Sequence, residues 1–275
     1  MDTIAPGISA PQLISRLGSQ FSPLLIDVRR EAAFNADSVV AASAVWRDPF
    51  AVDDWIKFMP RHREIVVYCV HGHEISKNTC SALRSAGLSV RYLEGGIEAW
   101  HQAGGPTIKK DAVTGIPSAL NNPSKWITRA RPKIDRVACP WLIRRFIDPL
   151  AEFIYVPFGE VLARAQLQNA IPYDVPGVPF SHRGERCSFD ALIEDFQIND
   201  PALADLAVIV RGADTGKPEL TPQSAGLLAI SLGLSALHND DHQMLEAGMD
   251  VYDALYAWLK ISRAEVHNAD LFKKP

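Results

Sequence analysis

The chain predicts an α/β fold in which a doubly wound domain built on a parallel sheet precedes a mostly helical α+β domain. Three observations carry this reading. Pro23 to Val28, Ile65 to Cys69 and Val90 to Leu93 are short apolar runs without alternation, the pattern of strands buried on both faces. Helical stretches lie between them, as a doubly wound sheet requires. At 275 residues the chain is long enough for two modest domains, and its pattern changes near Lys125.

The elements follow in order. Ser9-Ala10-Pro11-Gln12 has the form of a capping box with proline in the first turn, and Leu13, Ile14 and Leu17 follow before Gly18 ends the helix. A helix is expected from Ser76 to Ala86, with Gly87 as its stop. Residues 1–106 form the first expected domain. Glycine, proline, asparagine and serine crowd 107–124, which reads as a linker. In the second domain, 125–275, Trp126 to Arg129 and Glu152 to Val156 read as strands. Asp200-Pro201 and Thr221-Pro222 each place proline at the first helical position after a capping residue, and an amphipathic run spans Asp240 to Ile261.

Hydrophobic residues at 47% and charged residues at 22% exclude disordered and disulfide-scaffold chains. No apolar window is long enough to span a bilayer. The start MDTIAPGISAPQL lacks a basic segment followed by an apolar run, so a cytoplasmic location is expected. Cys69, Cys80, Cys139 and Cys187 form no C-x-x-C pair, which argues against a zinc ribbon and a disulfide staple. Charge is uneven. Residues 107–150 carry 9 Lys and Arg against 3 Asp and Glu, and residues 151–275 carry 9 against 18. Packing of the basic belt on the acidic part accounts for this without a partner, and with no helix-turn-helix or zinc-finger pattern, nucleic-acid binding is not expected.

Cys69 ends a strand, and Val70-His71-Gly72-His73-Glu74-Ile75 leads into a helix. Backbone N–H groups and the positive end of that helix would stabilise an anionic sulfur and an oxyanion bound beside it. The local pattern leaves two readings open, a nucleophilic thiol and a cysteine filling the core. Cys80, on the apolar side of the helix with Leu83, reads as core.

Three ordered segments then narrow the choice: Asp27-Val28-Arg29, Cys69-Val70-His71-Gly72-His73, and Leu93-Glu94-Gly95-Gly96-Ile97-Glu98-Ala99-Trp100. Together they resemble the signatures of a single rhodanese domain over about residues 9–106. The resemblance implies that Cys69 carries a persulfide, that the backbone of Val70 to Ile75 cradles it, and that Asp27 and Arg29 support the fold around it. It implies a small sulfur donor, a thiol or other nucleophilic acceptor, and no cofactor for sulfur transfer. Ile75 stands where phosphatase relatives carry arginine, so phosphatase chemistry is not expected. The chain departs from the family at Ala36 to Ser43, where a Gly-His-Ile-x-Gly-Ala stretch is usual. The loop also holds Glu74 and no Lys or Arg, so a persulfide or other low-charge donor is expected to suit it better than the thiosulfate dianion.

In the second part, Cys139 precedes Pro140. Proline at the first helical position would make Cys139 an N-cap, near Arg129, Arg131, Lys133, Arg136 and Arg144. This leaves open a thiolate or oxyanion site and a buried cap beside a solvated basic face. His182, Glu185 and Cys187, with His238, His242 and Glu246, offer enough ligands for a metal but form no recognised motif, so a metal there is an open question. Asp135 to Asp148, Ser181 to Phe189, Val210 to Thr215 and Tyr252 to Tyr256 resemble the ChrB C-terminal domain, and the resemblance implies chromate resistance and an oxyanion such as chromate. The reading is therefore a sulfurtransferase or persulfide carrier coupled to a chromate-resistance domain. The alternatives are a non-catalytic thiol- or oxyanion-sensing regulator and a metal-binding protein.

Overall fold

The structure is a computed structural model that describes residues 6–114 and 123–265. Five strands, β1 (Gly7–Ile8), β2 (Leu24–Asp27), β4 (Val45–Trp46), β5 (Ile65–Tyr68) and β6 (Val90–Leu93), form one parallel sheet in the order β1-β6-β5-β2-β4. Successive side chains of a strand point to opposite faces, so every strand feeds two cores. Leu24, Ile26, Ile65 and Val67 pack on one face with Cys80 and Leu83 of the helix Glu74–Ser85. Leu25, Val66 and Tyr68 pack on the other with Leu13 and with Trp100 of the helix Gly96–Gln102. This is the doubly wound domain the apolar runs predicted, and the Ser9 capping box is present in it. β1 and β4, two residues each, carry too little pattern to be read in advance.

Residues 36–43 depart from the rhodanese pattern for a visible reason. They include β3 (Val39–Ala41), which pairs antiparallel with β7 (Thr107–Lys109) outside the main sheet. Val40, Ala42 and Ile108 join the core of the second half. The Ser43 N–H donates to the Phe146 carbonyl at 2.6 Å. The segment expected as a linker thus begins as β7 and a helix, Lys110–Thr114. Its residues 115–122 lie outside the described residues.

The second half holds a parallel three-stranded sheet of β8 (Lys125–Arg129), β9 (Glu152–Val156) and β10 (Ile171–Pro172), in the order β10-β8-β9. Helices Ile134–Leu142, Val161–Gln168, Ser188–Phe196, Pro201–Asp214, Pro222–Leu237 and Asp241–Ala257 pack with it. Trp141, fully buried, contacts the rings of Phe146, Phe189, Tyr252 and Tyr256. Among the described residues no helix is long and apolar enough to cross a membrane.

Asp253 ties the halves together. It accepts from Trp141 Nε1 at 2.7 Å, from Arg145 Nε at 2.9 Å and from the Gln20 backbone at 2.8 Å. Lys260 Nζ adds a bond to the Ile14 carbonyl at 2.8 Å. Asp253→Ala would leave an indole N–H and a guanidinium buried without their acceptor, a loss of about 2–4 kcal/mol. Chemical denaturation should show that loss, and a change below about 0.5 kcal/mol would contradict this role.

Candidate functional site

Cys69 lies at the carboxyl end of β5, where open α/β sheets hold ligands. Its residue is 5% exposed and lines a cleft of about 260 Å³ with Arg29, Arg30, Ala33, Val70, His71, His73, Glu74 and Ile75. The helix that follows starts at Glu74, two residues earlier than expected. Cys69 Sγ and Ser76 Oγ are 3.3 Å apart, and Ser76 Oγ also donates to the His73 carbonyl. Among the described residues, no carbonyl or side chain accepts from the N–H groups of Val70 to Ile75. The carbonyls of Cys69 and Val70 point away, accepting from Ile97 N–H and Glu98 N–H. The loop therefore rests its acceptors on one helix and leaves its donors free.

Two glycines permit that seat. Gly96, at φ +61°, packs so closely that a Cβ would overlap the Cys69 and Val70 carbonyl oxygens. Gly72, at φ +69°, would bring a Cβ to 2.6 Å from the Gly95 nitrogen. Both need the left-handed region and the missing side chain.

Arg29 is 1% exposed. Its Nε and Nη2 donate to Asp27 at 2.9 and 2.7 Å, its Nη1 donates to Asp37 at 2.7 Å, and Tyr68 Oη donates to Asp27 at 3.1 Å. Burial works against the guanidinium charge, and the Asp27 bond more than offsets it, so Arg29 is held more firmly protonated than usual. Asp27 and Arg29 thus form a buried pair, with Arg29 at the wall of the cleft. Arg30 is exposed beside them and pairs with no carboxylate among the described residues. It lies 5.8 Å from the Phe50 ring centroid. The loop itself has no cation, as read from the sequence, but the fold brings Arg30 to the same cleft as Glu74. His71 Nδ1 lies 3.0 Å from Glu98, both well exposed.

The second candidate site does not assemble as expected. Cys139 is inside the helix Ile134–Leu142 with no exposed surface, and the N-cap is Lys133. Burial, then the charges of Asp135 and Asp174, push its thiol well above the ordinary range, the reverse of an activated cysteine. Pro140 sits within this helix rather than at its start, and the Arg136 carbonyl that its missing N–H would have served accepts from Tyr155 Oη at 3.4 Å. Arg136 pairs with Asp174, and Arg144 pairs with Glu246. The basic belt does pack on acidic residues of the same half.

The expected metal ligands also separate. The helix ends at His238 and a new one starts after Asp240, so His238 and His242 do not share a helix face. His242 packs against the Tyr155 ring, Glu185 pairs with Lys217, and buried Cys187 caps the helix Ser188–Phe196. His182 goes elsewhere. Its Nε2 lies 3.1 Å from Asp214 Oδ2 and 3.5 Å from both Asp135 Oδ2 and Asp174 Oδ1. Hydrogen bonds to Asp135 and Asp174 push the imidazole up to about 10, and burial with the charges of Asp135 and Asp174 pushes Asp214 up to about 7. Sequence reading found His182 and missed the three aspartates, which share no motif.

Residues 9–103 match the family described as rhodanese-like domain. Residues 126–259 match the family described as ChrB, C-terminal domain, so the chain joins the one to the other. Protein ChrB of Cupriavidus metallidurans is 37% identical over 134 residues, which are 48% of this chain and 40% of that protein. An uncharacterized protein of Synechocystis sp. is 32% identical over 103 residues, 36% of this chain and 55% of the relative. The chain thus spans well under two thirds of either relative. The solution structure of a rhodanese-like domain from Anabaena sp. is 31% identical, covering 37% of this chain and 77% of that one, at a TM-score of 0.33. A rhodanese-related protein from Thermoplasma volcanium is 22% identical, covering 37% and 96%, at a TM-score of 0.32.

The four thiols should differ sharply towards an alkylating reagent. Burial pushes Cys80 up to about 11 and raises Cys139 and Cys187 further. A raised thiol yields thiolate only as the pH climbs towards that value, so at neutral pH the native protein should be labelled at Cys69 alone. Peptide mass spectrometry checks this, and labelling of Cys139 before Cys69 would contradict it.

Proposed function

We propose that this chain is a rhodanese-type sulfurtransferase or persulfide carrier in which Cys69 holds the transferred sulfur. The observation that carries the reading is that Cys69 lines a cleft together with its own loop, whose N–H groups meet no protein acceptor among the described residues. Such donors stabilise the thiolate and the oxyanion end of a donor molecule. The thiolate attacks the outer sulfur of thiosulfate or of a small persulfide. The S–S bond of the donor breaks, and sulfite or a thiolate leaves with its electron pair. A nucleophilic acceptor then attacks the outer sulfur of the Cys69 persulfide, and Cys69 returns to thiolate. Each step is a displacement at sulfur, so no external oxidant or reductant enters.

Arg30 alters the expectation about the donor. Glu74 repels a dianion, yet the unpaired guanidinium in the same cleft attracts one, so thiosulfate suits the site. The likeness of residues 126–259 to ChrB supports a place for this chemistry in chromate resistance, with tetrahedral oxyanions as the second ligand class.

The full chain should form thiocyanate from thiosulfate and cyanide, and Cys69→Ser should reduce this to background. Turnover unchanged in Cys69→Ser would sink the enzyme reading, and no turnover with any sulfur donor would favour a sensing role. Arg30→Ala should raise KM for thiosulfate about tenfold, roughly one lost charge-assisted contact, and change kcat little. An unchanged KM would remove Arg30 from donor binding.

A further inference from the structure

The second half contains a cluster that sulfur transfer does not use. Asp135 stands in the first turn of the helix Ile134–Leu142, Asp174 follows β10, His182 lies in the loop before the helix Ser188–Phe196, and Asp214 ends the helix Pro201–Asp214. Four segments remote in sequence thus bring three carboxylates around one imidazole. Ligand atoms of Asp135, His182 and Asp214 all lie within 4.8 Å of one another, and Asp174 Oδ1 lies within 3.5 Å of the same His182 Nε2.

The arrangement has more acceptors than donors. One imidazole N–H serves one acceptor well, and here three carboxylate oxygens face the same nitrogen. The arginines lie to one side. Arg129 and Arg136 approach the other oxygen of Asp174, at 3.5 and 3.4 Å, while neither Asp135 nor Asp214 pairs with Lys or Arg among the described residues. Asp135 is 1% exposed, so its charge is not dispersed into water.

The carboxylates are also held in place by neighbouring donors, Asp135 Oδ2 and Asp174 Oδ1 through the same oxygens that face His182. Asp135 accepts from the Ser188 and Phe189 N–H groups at the start of a helix, Asp174 from Ser188 Oγ at 2.9 Å, and Asp214 Oδ1 from the Asp135 N–H at 3.4 Å. That leaves Asp214 Oδ2 turned to the common point. Outer contacts of this kind orient metal ligands. His182, 41% exposed, supplies both a nitrogen ligand and an open side.

The geometry points to a binding site for one divalent transition-metal ion, held by His182 Nε2 and by oxygens of Asp135, Asp174 and Asp214. A set of one nitrogen and three oxygens suits Mn²⁺, Fe²⁺ or Zn²⁺ and gives no thiolate to favour copper(I). Binding displaces the proton between His182 and the carboxylates. The buried thiols of Cys139 and Cys187 stay outside the ligand set. The site is independent of Cys69 chemistry.

The test uses the full chain, stripped with a chelator and titrated separately with Mn²⁺, followed by loss of the free-ion paramagnetic resonance signal, and with Zn²⁺, followed by competition with a chromophoric chelator. The expected result is saturable binding of one ion per chain. Asp214→Asn and His182→Gln should each weaken it at least about tenfold, while His242→Ala leaves it unchanged. Both weakening variants change partly exposed side chains, and circular dichroism verifies their fold. Absence of saturable binding for both ions would overturn the proposal. So would binding that both variants retain, which would put the ion elsewhere.

Discussion

The buried guanidinium of Arg29 is the contact on which the rest of this molecule depends. It locks Asp27 at the end of β2 and reaches Asp37, while the backbone carbonyl of the same residue accepts from Trp46 Nε1 at 2.9 Å. One side chain therefore fixes the carboxyl edge of the sheet on which the Cys69 cleft opens. It also fixes the start of the segment that carries β3 into the core of the second half. Breaking a buried pair of this kind leaves an uncompensated charge, at a cost of about 3–5 kcal/mol. Cleft and junction would loosen together.

From that edge the two halves divide their chemistry by solvation. Around Cys69 the loop leaves its N–H groups without protein acceptors and lines a cleft. Around Cys139 and Cys187 the surroundings are apolar and the nearest charges are carboxylates, so these thiols stay protonated. The same carboxylates gather an excess of negative charge around His182, the charge on which the proposed cation site rests. Different surroundings in one chain thus set the Cys69 cleft apart from the cluster around His182.

Much of this was legible beforehand where the signal was local. The non-alternating runs at β2, β5 and β6, the Ser9 box, and the proline starts at Pro201 and Pro222 depend on neighbours in sequence, and each formed as read. The placement of Cys69 between a strand and a helix was legible because strand, loop and helix follow one another directly. Cys139 misled because a proline after a cysteine suggests a helix start, whereas Tyr155, from β9, satisfies the carbonyl that Pro140 abandons inside the helix. His238 and His242 misled because a spacing of four was taken as one helix, and Asp240 caps a new one between them. Asp135 and Asp214 stand in segments that carry the ChrB resemblance and Asp174 does not, but only tertiary convergence joins the three to His182. Arg30 escaped for the same reason: its bearing on the cleft arises from β2 lying beside β5.

The most direct measurement is the intact mass of the full chain after exposure to thiosulfate without an acceptor, followed by peptide mapping. The account predicts a gain of one sulfur atom, found on the peptide containing Cys69 and discharged by cyanide. A chain that gains no sulfur, or gains it on Cys80, Cys139 or Cys187 with Cys69 unmodified, would contradict the account.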